Sequence, residues 1–251
     1  MAEEDLTFWE HLDVLRGYLI RIIVVTLVCF VVAFGCKELL FNVVLAPSQY
    51  DFISYRLMHA DPFEIRLVNI SLTEQFMIHM RTALYFGILA ASPYIIYLLY
   101  KFISPALYTK EKRYAFNVVI GGYVMFIIGI LVNYFIIFPL TVRFLATYQV
   151  STDIHNMLSL QSYMDTLMMM SLIFGILFEI PIISWLLAIF GVLKAEWMRH
   201  YWRQALVIIV VVAAIITPTG DIFTLTIVSL PIWLLYELSI IIVRATNASH
   251  P

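Results

Sequence analysis

Six apolar runs constrain this chain more than any other feature. A helix that crosses a bilayer needs about 20 mainly apolar residues. Such runs, or close approaches to them, lie at about 15–36, 76–102, 115–138, 164–190, 202–216 and 222–243. The 251 residues are 63% hydrophobic and 13% charged, whereas a soluble domain is roughly half apolar and a quarter charged. A core of this size does not need that excess; a surface in contact with lipid does. The sequence therefore predicts an all-α polytopic membrane protein, one domain over 1–251 with six transmembrane helices. The last two spans are expected to be short. The strictly apolar part of the fifth is Ala205–Ile216, about 18 Å of helix against a hydrocarbon core of about 30 Å.

The N-terminal 13 residues carry Glu3, Glu4, Asp5, Glu10 and Asp13, where a cleavable signal would be basic. The first run is thus read as a retained span. Six spans put both termini on one side. That side holds ten Lys and Arg, among them Lys101, Lys110, Lys194 and Arg244, against five on the other. The asymmetry predicts cytoplasmic termini. A net charge of −2 does not suggest a nucleic-acid partner. Cys29 and Cys36 are seven residues apart on one predicted helix, a rise of about 10 Å that excludes a disulfide. The six histidines are scattered, so neither a metal site nor a cofactor is expected.

Several short stretches, in order, resemble the twin-arginine translocase TatC family. The segment Phe8-Trp9-Glu10-His11-Leu12-Asp13-Val14-Leu15-Arg16 looks like the family's amphipathic entry into the first span. Leu45-Ala46-Pro47 begins the first outside loop. The run from Phe102 to Arg113, Phe-Ile-Ser-Pro-Ala-Leu-Tyr-Thr-Lys-Glu-Lys-Arg, is similar to the family's first cytoplasmic loop nearly residue for residue. Phe138-Pro139-Leu140, Phe178-Glu179-Ile180-Pro181, Thr217-Pro218 with Asp221, and Leu230-Pro231 with Glu237 follow. The resemblance implies a receptor and core subunit that binds twin-arginine signal peptides at the cytoplasmic face. It also implies a concave helical face, partnership with small single-span subunits of the TatA/TatB type, and homo-oligomers within a receptor complex. Export of folded proteins across the cytoplasmic (inner) membrane would be driven by the protonmotive force.

By that resemblance Glu111 is the principal contact for the paired arginines, with Phe102 and Pro105 lining the same site. Carboxylates suit this task because they accept charge-assisted, often bidentate hydrogen bonds from guanidinium groups. Read without the resemblance, Glu111 is a solvated acid among Lys110, Lys112 and Arg113, and Phe102 and Pro105 anchor and end a helix. The N-terminal segment departs from the family pattern: where two consecutive acids are usual, this chain has Asp13 and Val14. Asp13 or Glu10 is expected to compensate. Arg16 matches the family stretch and also serves as a positive anchor.

Glu179 stands near the centre of the fourth run. An ionised acid at mid-depth is costly and faces a bundle interior or water. Pro181 cannot donate to the Leu177 carbonyl, so a kink is predicted there. The functional reading is a polar face used in substrate passage or partner docking; the structural one is a protonated acid bonded to a neighbouring helix. Pro47, Asp221 and Glu237 are structural or partner candidates, with Asp221 expected to cap the last helix. Asn133 is expected to bond between helices.

No HExxH, GxSxG or glycine-rich phosphate loop is present, so an enzyme is not expected. The competing function is a secondary transporter or ion-coupled channel using Glu179. It would call for inverted repeats and several midplane polar groups, and the chain offers one strong midplane acid and no repeat.

Overall fold

Hydrocarbon offers a backbone no hydrogen-bonding partner, and the chain answers with helices. The computed structural model describes residues 8–59, 63, 65–103, 109–148, 157–217 and 221–249, excluding the side chains of 8–12, 100, 103, 109–117 and 249. In order come α1 (Phe8–Gly35), α2 (Lys37–Leu45), a 3₁₀ turn (Ala46–Ser48) and α3 (Ile53–Leu57). After β1 (Leu67–Val68) come α4 (Glu74–Ile103), α5 (Thr109–Val132), a π turn (Asn133–Ile137) and α6 (Phe138–Thr147). Then follow β2 (Leu158–Ser159), α7 (Leu160–Leu177), α8 (Ile180–Ile189), α9 (Ala195–His200), α10 (Trp202–Ile216) and α11 (Ile222–Ser249).

Five stretches are long and apolar enough to cross a membrane: Asp13–Gly35, Glu74–Leu99, Val118–Thr147, Leu160–Ile189 and Ile222–Ala248. Trp202–Ile216 is a shorter apolar helix, as expected, but the last span, also expected to be short, is not: α11 runs for 28 residues because the helix continues past its apolar run to Ser249. The fold is therefore polytopic and helical, as the apolar runs predict. Two helices outrun their apolar cores. The third continues past Phe138 through α6, and the last reaches Ser249.

The chain forms two compact units. One comprises Met1–Phe41 and Gln75–Tyr123; the other comprises Asn42–Glu74 and Val124–Pro251. In the first, α1 and α4 pack along a seam of rings. His79 stacks on Phe34 at 4.1 Å and meets Phe41 edge-on at 5.7 Å. Tyr18 meets Phe102 edge-on at 6.1 Å.

Prolines decide where the helices need help. A proline in a helix strips the carbonyl four residues earlier of its donor, and an orphan carbonyl in hydrocarbon costs several kcal/mol. Pro93 frees the Leu89 carbonyl, and the Ser92 hydroxyl donates to it at 2.6 Å. Pro139 frees the Phe135 carbonyl, and the Ser54 hydroxyl donates to that one. The π turn just before Pro139, closed by Phe138 N–H donating to Asn133 O, absorbs the remaining mismatch.

The second unit is locked at one end by hydroxyls and one carboxylate. The buried Tyr55 hydroxyl lies 2.8 Å from the Pro47 carbonyl and 3.1 Å from that of Pro139, and donates to this pair. Burial pushes the Tyr55 phenol well above its ordinary pKa, which keeps the proton this contact needs. Tyr134 and Tyr163 donate to the carbonyls of Val43 and Val44 at 2.6 and 3.0 Å. The buried Glu74 carboxylate accepts from the backbone N–H groups of Ile70 and Ser71, each at 3.0 Å, and of Gln161 at 2.9 Å. It thereby ties the start of α4 to the start of α7. Beside it, β1 and β2 pair in parallel, Leu67 with Leu158 and Val68 with Ser159.

Deeper in this unit α5 and α7 touch backbone to backbone. A Cβ on Gly129 would stand 2.5 Å from the Phe174 carbonyl oxygen, and one on Gly175 would stand 2.6 Å from the Phe126 ring. One turn along each helix, Asn133 Nδ2 donates to Ser171 Oγ at 2.9 Å. Asn133 is thus the interhelical group its sequence position predicts. Small residues and a buried polar pair are what binds helices where the hydrophobic effect cannot.

If Ser54 replaces the donor that Pro139 removes, Ser54→Ala, which orphans the Phe135 carbonyl, will destabilise the protein by roughly 1–3 kcal/mol, read as unfolding free energy in detergent. In a Pro139→Ala background, where a backbone N–H returns, the loss will shrink towards zero. An equal loss in both backgrounds excludes the replacement. Glu74→Ala, which leaves three N–H groups without their acceptor, will cost roughly 1–3 kcal/mol or more, and Glu74→Gln less.

Candidate functional site

In the first unit, the residues expected to recognise a signal peptide lie at one end of α1, at the end of α4 and at the start of α5. α1 begins at Phe8, so Glu10, Asp13, Val14 and Arg16 are all helical. Asp13 and Arg16 are exposed, and Val14 is 38% exposed. A helix turns about 100° per residue. Glu10, Val14 and Tyr18 are spaced four apart and form one stripe. Asp13 lies about 140° around the helix from Tyr18. The stripe that ends at Tyr18 is the one joined to α4, because Tyr18 meets Phe102 there. Arg21 lies over the other part of that ring, 5.8 Å from its centroid.

Phe102 sits in the last turn of α4. Glu111 stands in the first turn of α5, where the partial positive charge of a helix N-terminus suits an acid. The side chains of Glu10 and Glu111, and all of Pro105, lie outside the described residues. So the structure brings α1 and the end of α4 together through Tyr18 and Phe102. Tyr18 is the residue at this contact that reading the sequence did not single out. Its signal was present, an aromatic residue four positions beyond Val14, but only the α4 contact gives that spacing meaning.

In the second unit, Glu179 lies in the break between α7 and α8. α7 ends at Leu177, Phe178 and Glu179 form a turn, and α8 begins at Ile180. The Glu179 N–H donates to Ile176 O at 3.0 Å, and its own carbonyl accepts from Ile183 at 2.9 Å. Pro181 is buried in the first turn of α8. The break coincides with the proline's missing N–H to Leu177. The Glu179 side chain is half-buried and has no hydrogen bond or ion pair among the described residues. The helix break thus presents a carboxylate that the fold itself does not use.

Asp221 caps α11, accepting from the Thr224 N–H at 2.7 Å and the Thr224 hydroxyl at 2.8 Å; residues 218–220 of the hairpin lie outside the described set. Pro47 is buried in the 3₁₀ turn, where its carbonyl receives Tyr55. Glu237 is half-buried on α11 beside Tyr236, without a hydrogen bond or ion pair among the described residues. Glu74 and Tyr55, which organise this region, were not singled out from the sequence. A lone Glu and a lone Tyr in a loop carry no pattern until their partners are known.

Among the described residues no group of three His, Cys, Asp or Glu is placed to hold a metal ion. What the arrangement offers is surface: an acid-bearing helix entry beside an aromatic contact, and a free carboxylate in a broken span.

Comparison with known proteins adds the family. The sequence profile described as Sec-independent protein translocase protein (TatC) matches residues 10–231. The chain is 30% identical to the Sec-independent protein translocase protein TatC of Blattabacterium sp. subsp. Periplaneta americana, covering 96% of each chain. It is 34% identical to that of Aquifex aeolicus, covering 92% of each. A crystal structure described as the twin arginine translocase receptor TatC is similar to this fold with a TM-score of 0.74 and 33% identity. That likeness covers 94% of this chain and 99% of the solved one.

If Pro181 is what breaks the fourth span, Pro181→Ala will restore the bond to the Leu177 carbonyl. The distance between spin labels at the exposed positions Leu172 and Leu187 will then lengthen. An unchanged distance assigns the break to Glu179 and its surroundings instead.

Proposed function

The chain belongs to the TatC family of Sec-independent protein translocases, and from that premise we propose that it is the receptor that captures twin-arginine signal peptides. It is a multi-pass membrane component of a protein translocase, not an enzyme, and the family implies association with other Tat subunits. The finer reading is ours. It has the cytoplasmic (inner) membrane as location, both termini in the cytoplasm, and single-span partners of the TatA/TatB type. Cargo is folded and its export is driven by the protonmotive force.

The observation that carries the receptor reading is the contact of Tyr18 with Phe102. It supports a site in which the entry helix and the first cytoplasmic loop act on one ligand. In this reading Glu111 takes one or both guanidinium groups of the paired arginines, through charge-assisted bonds that a lysine ammonium reproduces poorly. Phe102, Pro105 and Tyr18 supply the apolar wall, and Arg16 anchors α1 at the interface. Glu10 supplies the second acid. It lies one turn before Val14, the position where the family's second acid is absent, and about 80° around the helix from Tyr18, against about 140° for Asp13. Glu179 is reserved for a later step, where a polar group in a broken span receives a partner helix. Pro47 and Asp221 hold the helices that present these groups, and Glu237 is a further partner candidate.

The test is photocrosslinking of a twin-arginine signal peptide to the protein in native membranes. Glu111→Ala and an Arg-Arg to Lys-Lys signal are each expected to reduce crosslinking by about tenfold, as for loss of a charge-assisted pair. Binding that ignores both changes removes Glu111 from the site. No binding at all shifts the assignment to an ion-coupled transporter centred on Glu179. In the same assay Glu10→Gln will cost more than Asp13→Asn; the reverse order means that α1 offers its other face to the signal.

A further inference from the structure

A second concave site lies entirely within the second unit, at the end where α8 and α11 finish and the short α9 crosses. It is a recess of about 550 Å³ lined by Gly191, Lys194, Glu196, Arg199, Arg244 and Asn247, over a floor that includes Ala188. Gly191 ends α8 in the left-handed conformation, at φ 71°, and the N–H groups of Gly191 and Val192 return to the carbonyls of Ala188 and Leu187 at 3.0 Å each. This is a glycine C-cap, and it turns the chain back so that Lys194 can start α9. Ala188, Met198, Ile240 and Val243 then pack into a small apolar cluster with Leu193, Ala195 and Tyr236. The Tyr236 hydroxyl donates to the Met198 carbonyl at 2.6 Å. α9 is thus pinned to α11 by both apolar and polar contacts.

The charges in this recess are left over after folding. Lys194, Arg199 and Arg244 are exposed, and none is in an ion pair among the described residues. Against them stands one acid, Glu196. The recess therefore carries a net two positive charges together with an amide donor, Asn247, which is what a phosphate group needs. The surroundings select among phosphate sources. Phe190 and Val192, which flank Gly191, are 58% and 59% exposed. Trp197 on α9 and the following Tyr201 and Trp202 are exposed aromatic residues, the types enriched where a span leaves the hydrocarbon. Both Arg244 and the end of α8 stand at the end of a membrane-spanning stretch. A ligand here meets cations at one end and lipid-like surface at the other.

The geometry points to this recess as a binding site for the headgroup of an anionic glycerophospholipid. The phosphate lies among Lys194, Arg199 and Arg244, and headgroup hydroxyls donate to Glu196. The acyl chains run past Phe190 and Val192 into the bilayer. Basic recesses at the ends of membrane helices suit such headgroups. The inference rests on the membrane placement of α8 and α11, and the recognition of a signal peptide plays no part in it.

The test uses the full-length protein in a mild non-ionic detergent, with bound lipid read by native mass spectrometry. Phosphatidylglycerol is compared with phosphatidylcholine, and inorganic phosphate is added as a competitor. The wild type is expected to retain phosphatidylglycerol in preference. The triple variant Lys194→Gln, Arg199→Gln, Arg244→Gln is expected to lose that preference. A control of equal charge, Lys37→Gln, Lys101→Gln, Arg203→Gln, is expected to keep it. Arg244→Gln alone, which keeps most of the frame if the triple variant fails to fold, is expected to weaken retention about fivefold, as for one cation at an anionic surface. Equal retention of the two lipids overturns the proposal, as does equal loss in the control. Displacement of the lipid by inorganic phosphate makes this a soluble-anion site and also overturns it. Signal crosslinking is a separate readout, so either proposal can fail alone.

Discussion

Everything in this molecule is subject to the rule that a backbone carbonyl in hydrocarbon must have a donor. Helices satisfy it by default, and each proline breaks it at one known place. The repairs are local and specific. Ser92 serves the carbonyl released by Pro93 from its own turn. Ser54 serves the carbonyl released by Pro139 from a different element, more than 80 residues away in sequence. The second repair does more than fill a vacancy. It fixes α3 against the π turn and sets Tyr55 where its hydroxyl reaches Pro47 and Pro139. A helix defect has become an attachment point for the segment between α2 and α4.

The same economy explains where the polar groups lie. Glu74 is a buried acid stabilised by three backbone N–H groups, with the charge spent on structure. Glu179 is an acid in a helix break with no protein partner among the described residues, and the three cations between α8, α9 and α11 are likewise unspent. Where folding consumes a charge, the residue is a brace. Where folding leaves one unused in or near the membrane, its cost argues for a ligand or partner. By this criterion the Glu179 break and the cation recess are candidate places among the described residues, and the half-buried Glu237 meets it as well.

Much of the site was legible in the sequence, and unevenly so. The Pro181 break and the Asp221 cap could be read directly, since both depend on residues within four positions of one another. Asn133 was legible as an interhelical group because an amide in an apolar run has few other uses. The choice between Glu10 and Asp13 was not legible. It turns on which face of α1 meets α4, and the two residues that meet there, Tyr18 and Phe102, are 84 positions apart. Glu74 and Tyr55 were missed for the same reason: their partners are backbone atoms, which carry no sequence signal.

The sequence by itself determined that this chain crosses a membrane as helices, how many apolar runs it has, where prolines interrupt them and where its charges fall. Those properties follow from hydrophobicity, covalent geometry and spacing along one segment. Only the tertiary structure decided which carbonyls borrow donors from distant loops and which face of α1 meets α4. It alone gathered Lys194, Arg199 and Arg244 into one recess. These outcomes depend on the packing of elements far apart in the chain, and a local pattern holds no record of what it will meet.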